Sequence, residues 1–228
     1  MKREEQISPS DLNAIIMSVV HDVKNSLLLS TGTLEQINLK VPRELQAEIA
    51  TVQDEIKGIN QSLMRMLTLY KMQTNVFSLH RDQYNVYDFL EELVLTNASL
   101  NSKKSLTFEI ECDEYLDWFF DLELISNVIN SIINNTIRYA KSIVILHASI
   151  KDDMLQIKIN DDGVGYPQTM LEQKEQINTQ INFAIGNSGL GLFFAEKIAQ
   201  LHTNLDKQGY TQINNRASGG GCFTICLP

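Results

Sequence analysis

The stretch "LELISNVINSIINNTIRYA", residues 122–140, reads as a helix with two faces. Ile125, Val128, Ile129, Ile132, Ile133 and Ile137 recur at helical steps and make one face apolar. Asn127, Ser131, Asn135 and Arg138 follow one another at steps of 4, 4 and 3 on another face. Asparagine is a poor helix former because its side chain competes for backbone hydrogen bonds. Asn127, Asn130, Asn134 and Asn135 therefore need a reason to be here, as does the more distant Asn101. On this stretch alone two reasons stand level: a solvated face, or a face that binds a ligand.

Downstream, "INDDGVGYP" (159–167) ends an alternating strand, with Asp161 and Asp162 before Gly163 and Gly165. Glycines let backbone approach a ligand closely, and a fixed carboxylate can accept a hydrogen bond from an exocyclic amine; the same residues also make a good turn. "GNSGLGLFFAEKIAQLH" (186–202) then sets Gly186, Gly189 and Gly191 immediately before an amphipathic helix. Free N–H groups at a helix start suit a phosphate, and a glycine hinge with no ligand is the plainer alternative. Neither a Walker loop nor a dinucleotide fingerprint is present. The Gln/Asn-rich piece between the motifs, 169–187, reads as a mobile lid.

Strands are predicted at Leu106–Glu111, Ser142–Ile150, Met154–Asn160 and Cys222–Leu227, with helices near Val86–Asn101, Leu122–Tyr139 and Gly189–Leu201. Grouped strands with interspersed helices predict a two-layer α/β sandwich within an α+β protein. Upstream the pattern is different. Leu12, Ile16, Val19, Val23, Leu27, Ser30, Leu34 and Ile37 predict one long helix over Ser10–Lys40. Leu45, Ile49, Val52, Ile56, Ile59, Leu63, Met66 and Tyr70 predict a second with the heptad spacing of a coiled-coil seam. A lone antiparallel hairpin leaves much of such a stripe wet, so a second copy completing a four-helix bundle is predicted, making the protein a homodimer. The break near "KMQTNVFSLH" divides the chain into domains 1–76 and 77–228, with "TNVFS" as a hinge. Charge divides with it: 8 Lys+Arg against 9 Asp+Glu in the first part, 11 against 19 in the second.

A formal charge of −9 with no Lys/Arg-rich block argues against nucleic acid or an anionic membrane surface as partner. No stretch approaches about 18 uninterrupted apolar residues, so no membrane segment is expected. Cys112, Cys222 and Cys226 are odd in number and lack metal-ligand spacing, which fits a reducing, cytoplasmic setting.

Taken in order, the set is more specific than its parts. Asn135, "DDGVG" starting 26 residues later and "SGLGL" with Gly189 a further 28 on resemble the Bergerat-type ATP-binding domain shared by sensor histidine kinases and related ATPases. The resemblance extends over the helical hairpin, and "GGGCFTICLP" is similar to the family's closing strand. It implies ATP and Mg²⁺ as cofactors, with Asn135 as the metal ligand and Arg138 and Tyr139 as nucleotide contacts. It implies Asp161 as reader of the adenine amine, Gly163 and Gly165 as its loop, and Gly189, Leu190 and Gly191 around the phosphates. Three positions depart from the pattern. Ser131 stands where these kinases usually have Asn and the related ATPases a glutamate that activates water, Asn187 where a third glycine is common, and Ser26 where a proline usually follows the histidine box.

"HDVKN" (21–25) resembles that box. With Ile16, Val19 and Val23 at a, d and a, His21 falls at the outermost point of the helix and Asn25 one turn further on the same face. A free imidazole, with a pKa of about 6.5, is largely neutral at pH 7 and has a lone pair. The resemblance makes His21 the acceptor of the γ-phosphoryl group, Asp22 the group that orients or deprotonates the ring, and Asn25 the residue that places a water for dephosphorylating a partner. It implies a response-regulator receiver domain as that partner, and input from a separate sensor protein or a missing sensor segment. Three alternatives are carried: an ATP-independent phosphotransfer or scaffold protein, a phosphatase acting mainly on its partner, and a serine/threonine kinase with the same ATP fold. His80, His147 and His202 are expected to be structural or surface residues.

Overall fold

The computed structural model describes residues 9–73, 78–98, 105–172 and 187–228. Contacts divide the chain into two compact units, parting between Phe77 and Ser78.

The first unit is a hairpin of α1 (Pro9–Asn38) and α2 (Arg43–Gln73), packed on each other. The α1 helix runs through Ser26, whose hydroxyl bonds back to the Asp22 carbonyl at 3.0 Å, as helix serines do. Gln46 reaches over the turn and donates to the Asn38 and Val41 carbonyls, closing the end of α1. The seam read as one stripe is divided in two. On α2, Ile49, Ile56, Leu63 and Tyr70 are half-buried. Leu45, Val52, Ile59 and Met66, seven residues apart, stay exposed at 45, 44, 55 and 61%. On α1, Val19 and Val23 are likewise exposed, while Val20, outside the expected stripe, is buried.

The second unit is a mixed sheet covered on one face by helices. Its elements are β1 (Asp82–Asn85), α3 (Val86–Ala98), β2 (Thr107–Glu111), β3 (Asp117–Phe120), α4 (Leu122–Tyr139), β4 (Ile143–Lys151), β5 (Met154–Asp161), α5 (Gln168–Glu172), α6 (Asn187–Leu201), β6 (Thr203–Asn204), β7 (Lys207–Gln208), β8 (Tyr210–Asn215) and β9 (Gly221–Leu227). The main sheet has the order β2-β4-β5-β9-β8, with β2 parallel to β4 and the other pairs antiparallel. Period-2 alternation turns Val144, Leu146 and Ala148 of β4, Leu155, Ile157 and Ile159 of β5 and Phe223, Ile225 and Leu227 of β9 toward the helices, where all are buried. They meet Ile125, Val128, Ile129, Ile132 and Ile133 of α4, and Phe194, Ala195 and Ile198 of α6.

The four predicted strands and the 122–139 helix are present within a residue or so of their predicted ends. The helix predicted to reach Asn101 is described to Ala98 only. The α6 helix starts at Asn187, so Gly189 and Gly191 lie inside its first turns rather than in a loop before it. The short strands β1, β3, β6 and β7, and the six-residue β8, were not predicted. The first four are too brief to show a period, and "YTQINN" of β8 is too polar to read as a strand.

Candidate nucleotide site

The β5 alternation that buries Ile157 and Ile159 carries one residue further and brings Asp161 in on the same face, opposite Val144 and only 8% exposed. A buried carboxylate must be hydrogen-bonded. Its Oδ1 accepts from the Gly163 N–H at 2.7 Å, and its Oδ2 lies toward Gly221, another residue of the cavity wall, 2.9 Å from where a Cβ there would stand. Asp161 is one wall of a cavity of about 180 Å³. Ile132, Asn135, Thr136 and Tyr139 of α4 line another wall, Val164 to Pro167 and Met170 a third, and Leu192 and Gly221 close it. Much of this wall is apolar, with Asp161 and Asn135 among its few polar groups, as suits a flat ring that must also be oriented.

The elements around the cavity are held at their ends. Asp121 N-caps α4, its carboxylate accepting from Leu124 N at 3.0 Å and from His80 N at 2.9 Å. The Asp121 N–H donates to Nε2 of His202 at 3.1 Å, while Nδ1 of this fully buried ring lies 2.9 Å from the Ile198 carbonyl. That pairing requires the Nδ1–H tautomer, and burial lowers the His202 pKa. Glu196, buried in α6, accepts from the N–H and hydroxyl of Thr211, tying α6 to β8. Across the loop, the Asn215 amide accepts from Tyr166 N at 2.6 Å and donates to Tyr166 O at 2.9 Å, and Arg216 donates to the Asp161 carbonyl.

The glycines divide by task. A Cβ on Gly163 would run into the Tyr139 carbonyl, and Gly165 has φ +76° with Asn215 filling the place a Cβ would take, so both serve loop packing. Gly191 faces Ser131 Oγ and Asn135 Nδ2, at 3.5 and 4.0 Å from where its Cβ would lie, and keeps space open beside Asn135.

Of the residues named from sequence, Asn135, Tyr139, Asp161 and Gly165 come together at the cavity, with Gly191 beside Asn135. Arg138 is exposed on α4 and is not among the cavity walls. Gly189 and Leu190 are placed on α6 by their backbone alone. Asn130 belongs elsewhere: its side-chain oxygen accepts from the buried Asn97 at 2.7 Å, one structural reason for an asparagine on this helix. Tyr166, Pro167, Met170 and Leu192 were missed, although the "YP" directly after the glycines was a usable signal. Most of the expected lid, and the hinge apart from Ser78, lie outside the described residues. Mg²⁺ prefers oxygen donors and keeps several waters beside nucleotide phosphates, so Asn135 on the cavity wall, whose amide carries one such oxygen, is chemically compatible with it. No group of three or more His, Cys, Asp or Glu able to hold a metal occurs among the described residues.

In the hairpin, His21 is exposed, with 71% of its side chain accessible. Asp22 Oδ1 lies 3.5 Å from its Nδ1, and Asn25 Nδ2 lies 3.3 Å from Nδ1 and 3.4 Å from Nε2.

Residues 120–228 match the family of histidine kinase-, DNA gyrase B- and HSP90-like ATPases. Residues 120–228 are a domain of that family, and the chain as a whole resembles a sensor histidine kinase catalytic core. Histidine kinase P4 of Formosa agariphila is 24% identical over 241 residues, covering 100% of this chain and 17% of that protein. Sensor protein SrrB of Staphylococcus aureus is 21% identical over 222 residues, covering 93% of this chain and 37% of that protein. This core thus spans a minor part of the relatives it matches. The Acinetobacter baumannii histidine kinase AdeS shares the fold, with a TM-score of 0.59 at 16% identity over 88% of this chain and 95% of that one. Among the described residues no helix is long and apolar enough to cross a membrane.

Proposed function

We propose that this core is a cytoplasmic protein-histidine kinase. Residues 77–228 bind Mg-ATP, and residues 1–76 form the dimerising hairpin that presents His21. The observation that carries the reading is the joint placing of Asp161 and Asn135 on one cavity of an ATPase-family domain. Asp161 Oδ2 is suited to accept from the exocyclic amine of adenine while the apolar walls hold its ring. Asn135 would hold Mg²⁺, which when bound supplies neutralisation of the phosphate charge.

At His21 the carboxylate of Asp22 beside Nδ1 favours the Nδ1–H tautomer and leaves the lone pair on Nε2. Nε2 attacks the γ-phosphorus, the bond to the β-γ bridging oxygen breaks, ADP leaves, and the ring proton passes from Nδ1 toward Asp22. A carboxylate of a receiver domain then takes the phosphoryl group from the imidazole. Such transfers need positioning and charge stabilisation more than covalent help. Ser131 cannot act as a base at neutral pH, which disfavours loss of the phosphoryl group to water.

Asn25 favours a second activity. Its amide lies one turn along and within 3.3 Å of the ring, where it can place a water against a phosphorylated partner. The exposed apolar residues of both helices support a second copy completing a four-helix bundle. Input would come from a sensor protein or segment beyond these residues.

The test is incubation with γ-labelled Mg-ATP, with His21→Ala and Asn135→Ala alongside. Acid-labile, alkali-stable label on the wild type, absent from both variants, is expected. A wild type that neither binds Mg-ATP nor becomes labelled would overturn the kinase in favour of an ATP-independent phosphotransfer protein. Asn25→Ala should abolish dephosphorylation of the partner and leave His21 labelling in place.

A further inference from the structure

Asp161 and Asp162 are neighbours at a strand end and so point to opposite sides. Asp161 faces the cavity. Asp162 faces residues 141–143, the link from α4 into β4, and meets a row of donors there. Its carboxylate accepts from Lys141 N at 2.8 Å, Ser142 N at 3.0 Å, Ile143 N at 3.3 Å and the Ser142 hydroxyl at 2.5 Å. These donors, the hydroxyl first, hold the Asp162 carboxyl well below the usual carboxylate range. The three consecutive N–H groups offer hydrogens only and the hydroxyl donates here, so the two oxygens of a carboxylate can accept from all four, whereas an amide has one oxygen to offer.

The link belongs to the cavity wall. Ala140 N–H closes α4 on the Thr136 carbonyl at 2.8 Å, and Thr136 and Tyr139 line the cavity directly above. The Tyr139 carbonyl also fills the place a Cβ on Gly163 would take. The strand end that carries Asp161 is thus joined to the end of α4 by one ionic side chain and one close backbone contact.

We infer that Asp162 is a positioning residue for base recognition, locking the Asp161 strand end to the C-terminal end of α4 so that the carboxylate meets the exocyclic amine. The inference rests on the reading of Asp161 as the group that faces that amine. Asp162→Asn keeps the shape and can leave its amide oxygen on the backbone row, but it sets an N–H₂ where the second carboxylate oxygen accepted from the Ser142 N–H and hydroxyl and it removes the charge, so the lock is weakened.

The experiment measures binding of Mg-ATP and Mg-ITP to the full chain by calorimetry. The two nucleotides share phosphates and ribose and differ at the base, where ITP has an oxo group in place of the amine. The wild type should prefer ATP by about tenfold or more, the scale of a hydrogen bond to a charged group. Asp162→Asn should weaken ATP by about tenfold and ITP by less than about twofold, so that the preference collapses. Asp162→Glu should restore part of it. Ser142→Ala, which removes one donor and leaves the backbone row intact, should move the preference in the same direction by about threefold and serves if Asp162→Asn fails to fold. Equal weakening of both nucleotides, or an unchanged preference in both variants, overturns the positioning role. A wild type with no preference between ATP and ITP overturns the Asp161 reading itself, and the Asp161→Asn variant locates that failure.

Discussion

Gly191→Ala should make the protein more stable and less able to bind nucleotide. The position lies within α6, where alanine exceeds glycine in helix propensity by about 1 kcal/mol. The added Cβ meets Ser131 Oγ at 3.5 Å and Asn135 Nδ2 at 4.0 Å, ordinary contacts that strain nothing. For a unit of this size a gain of about 1 kcal/mol raises the melting temperature by roughly 2–4 °C. The same methyl fills space beside Asn135, where phosphate and metal would pass. A displacement that forfeits one charge-assisted contact weakens Mg-ATP by about tenfold, or 1.4 kcal/mol. The chain's one tryptophan, Trp118, stands in β3 of this unit, so its fluorescence on heating reports the stability of the unit selectively. Titration with a fluorescent ATP analogue reports binding. A lower melting temperature with unchanged affinity would refute the reasoning, because Gly191 would then be a packing glycine.

Gly163→Ala should behave in the opposite way, losing about 1–3 kcal/mol of stability in the same melts, because its Cβ meets the Tyr139 carbonyl rather than free space. Ile59→Glu is expected to raise the dissociation constant of the proposed dimer by about 100-fold in sedimentation equilibrium, since each copy would lose an exposed apolar residue of the stripe. Stability of the second unit should fall as pH drops below about 6.5, the ordinary histidine value. The folded His202 has a lowered pKa, so below that value the unfolded chain binds more protons and gains relative to the fold; Asp121 opposes this shift and Arg81 adds to it. Urea midpoints followed by Trp118 at pH 7.5 and 5.0 should show that fall, and His202→Gln should flatten it.

What the sequence determined by itself were features that repeat or that need a particular side chain. The heptad run of α2 and the alternation of β4 and β5 are periodic, so each residue confirms its neighbours, and both hairpin helices and strands β2, β4, β5 and β9 were legible. Asp161, Asn135 and the glycines stand at recognisable intervals, because a backbone that must approach a neighbour or a ligand tolerates little else. Tertiary structure alone decided which partner each residue has. Val20 rather than Val19 is buried, since helix packing and not heptad arithmetic chooses the inward face. Gly163 and Gly191 look alike in the chain, yet one abuts a carbonyl 24 residues upstream and the other opens space beside α4. Asp161 and Asp162 are identical side chains in consecutive positions. The pleat sends one into the cavity and the other onto the amides of residues 141–143, and that division depends on strands brought together from distant parts of the chain.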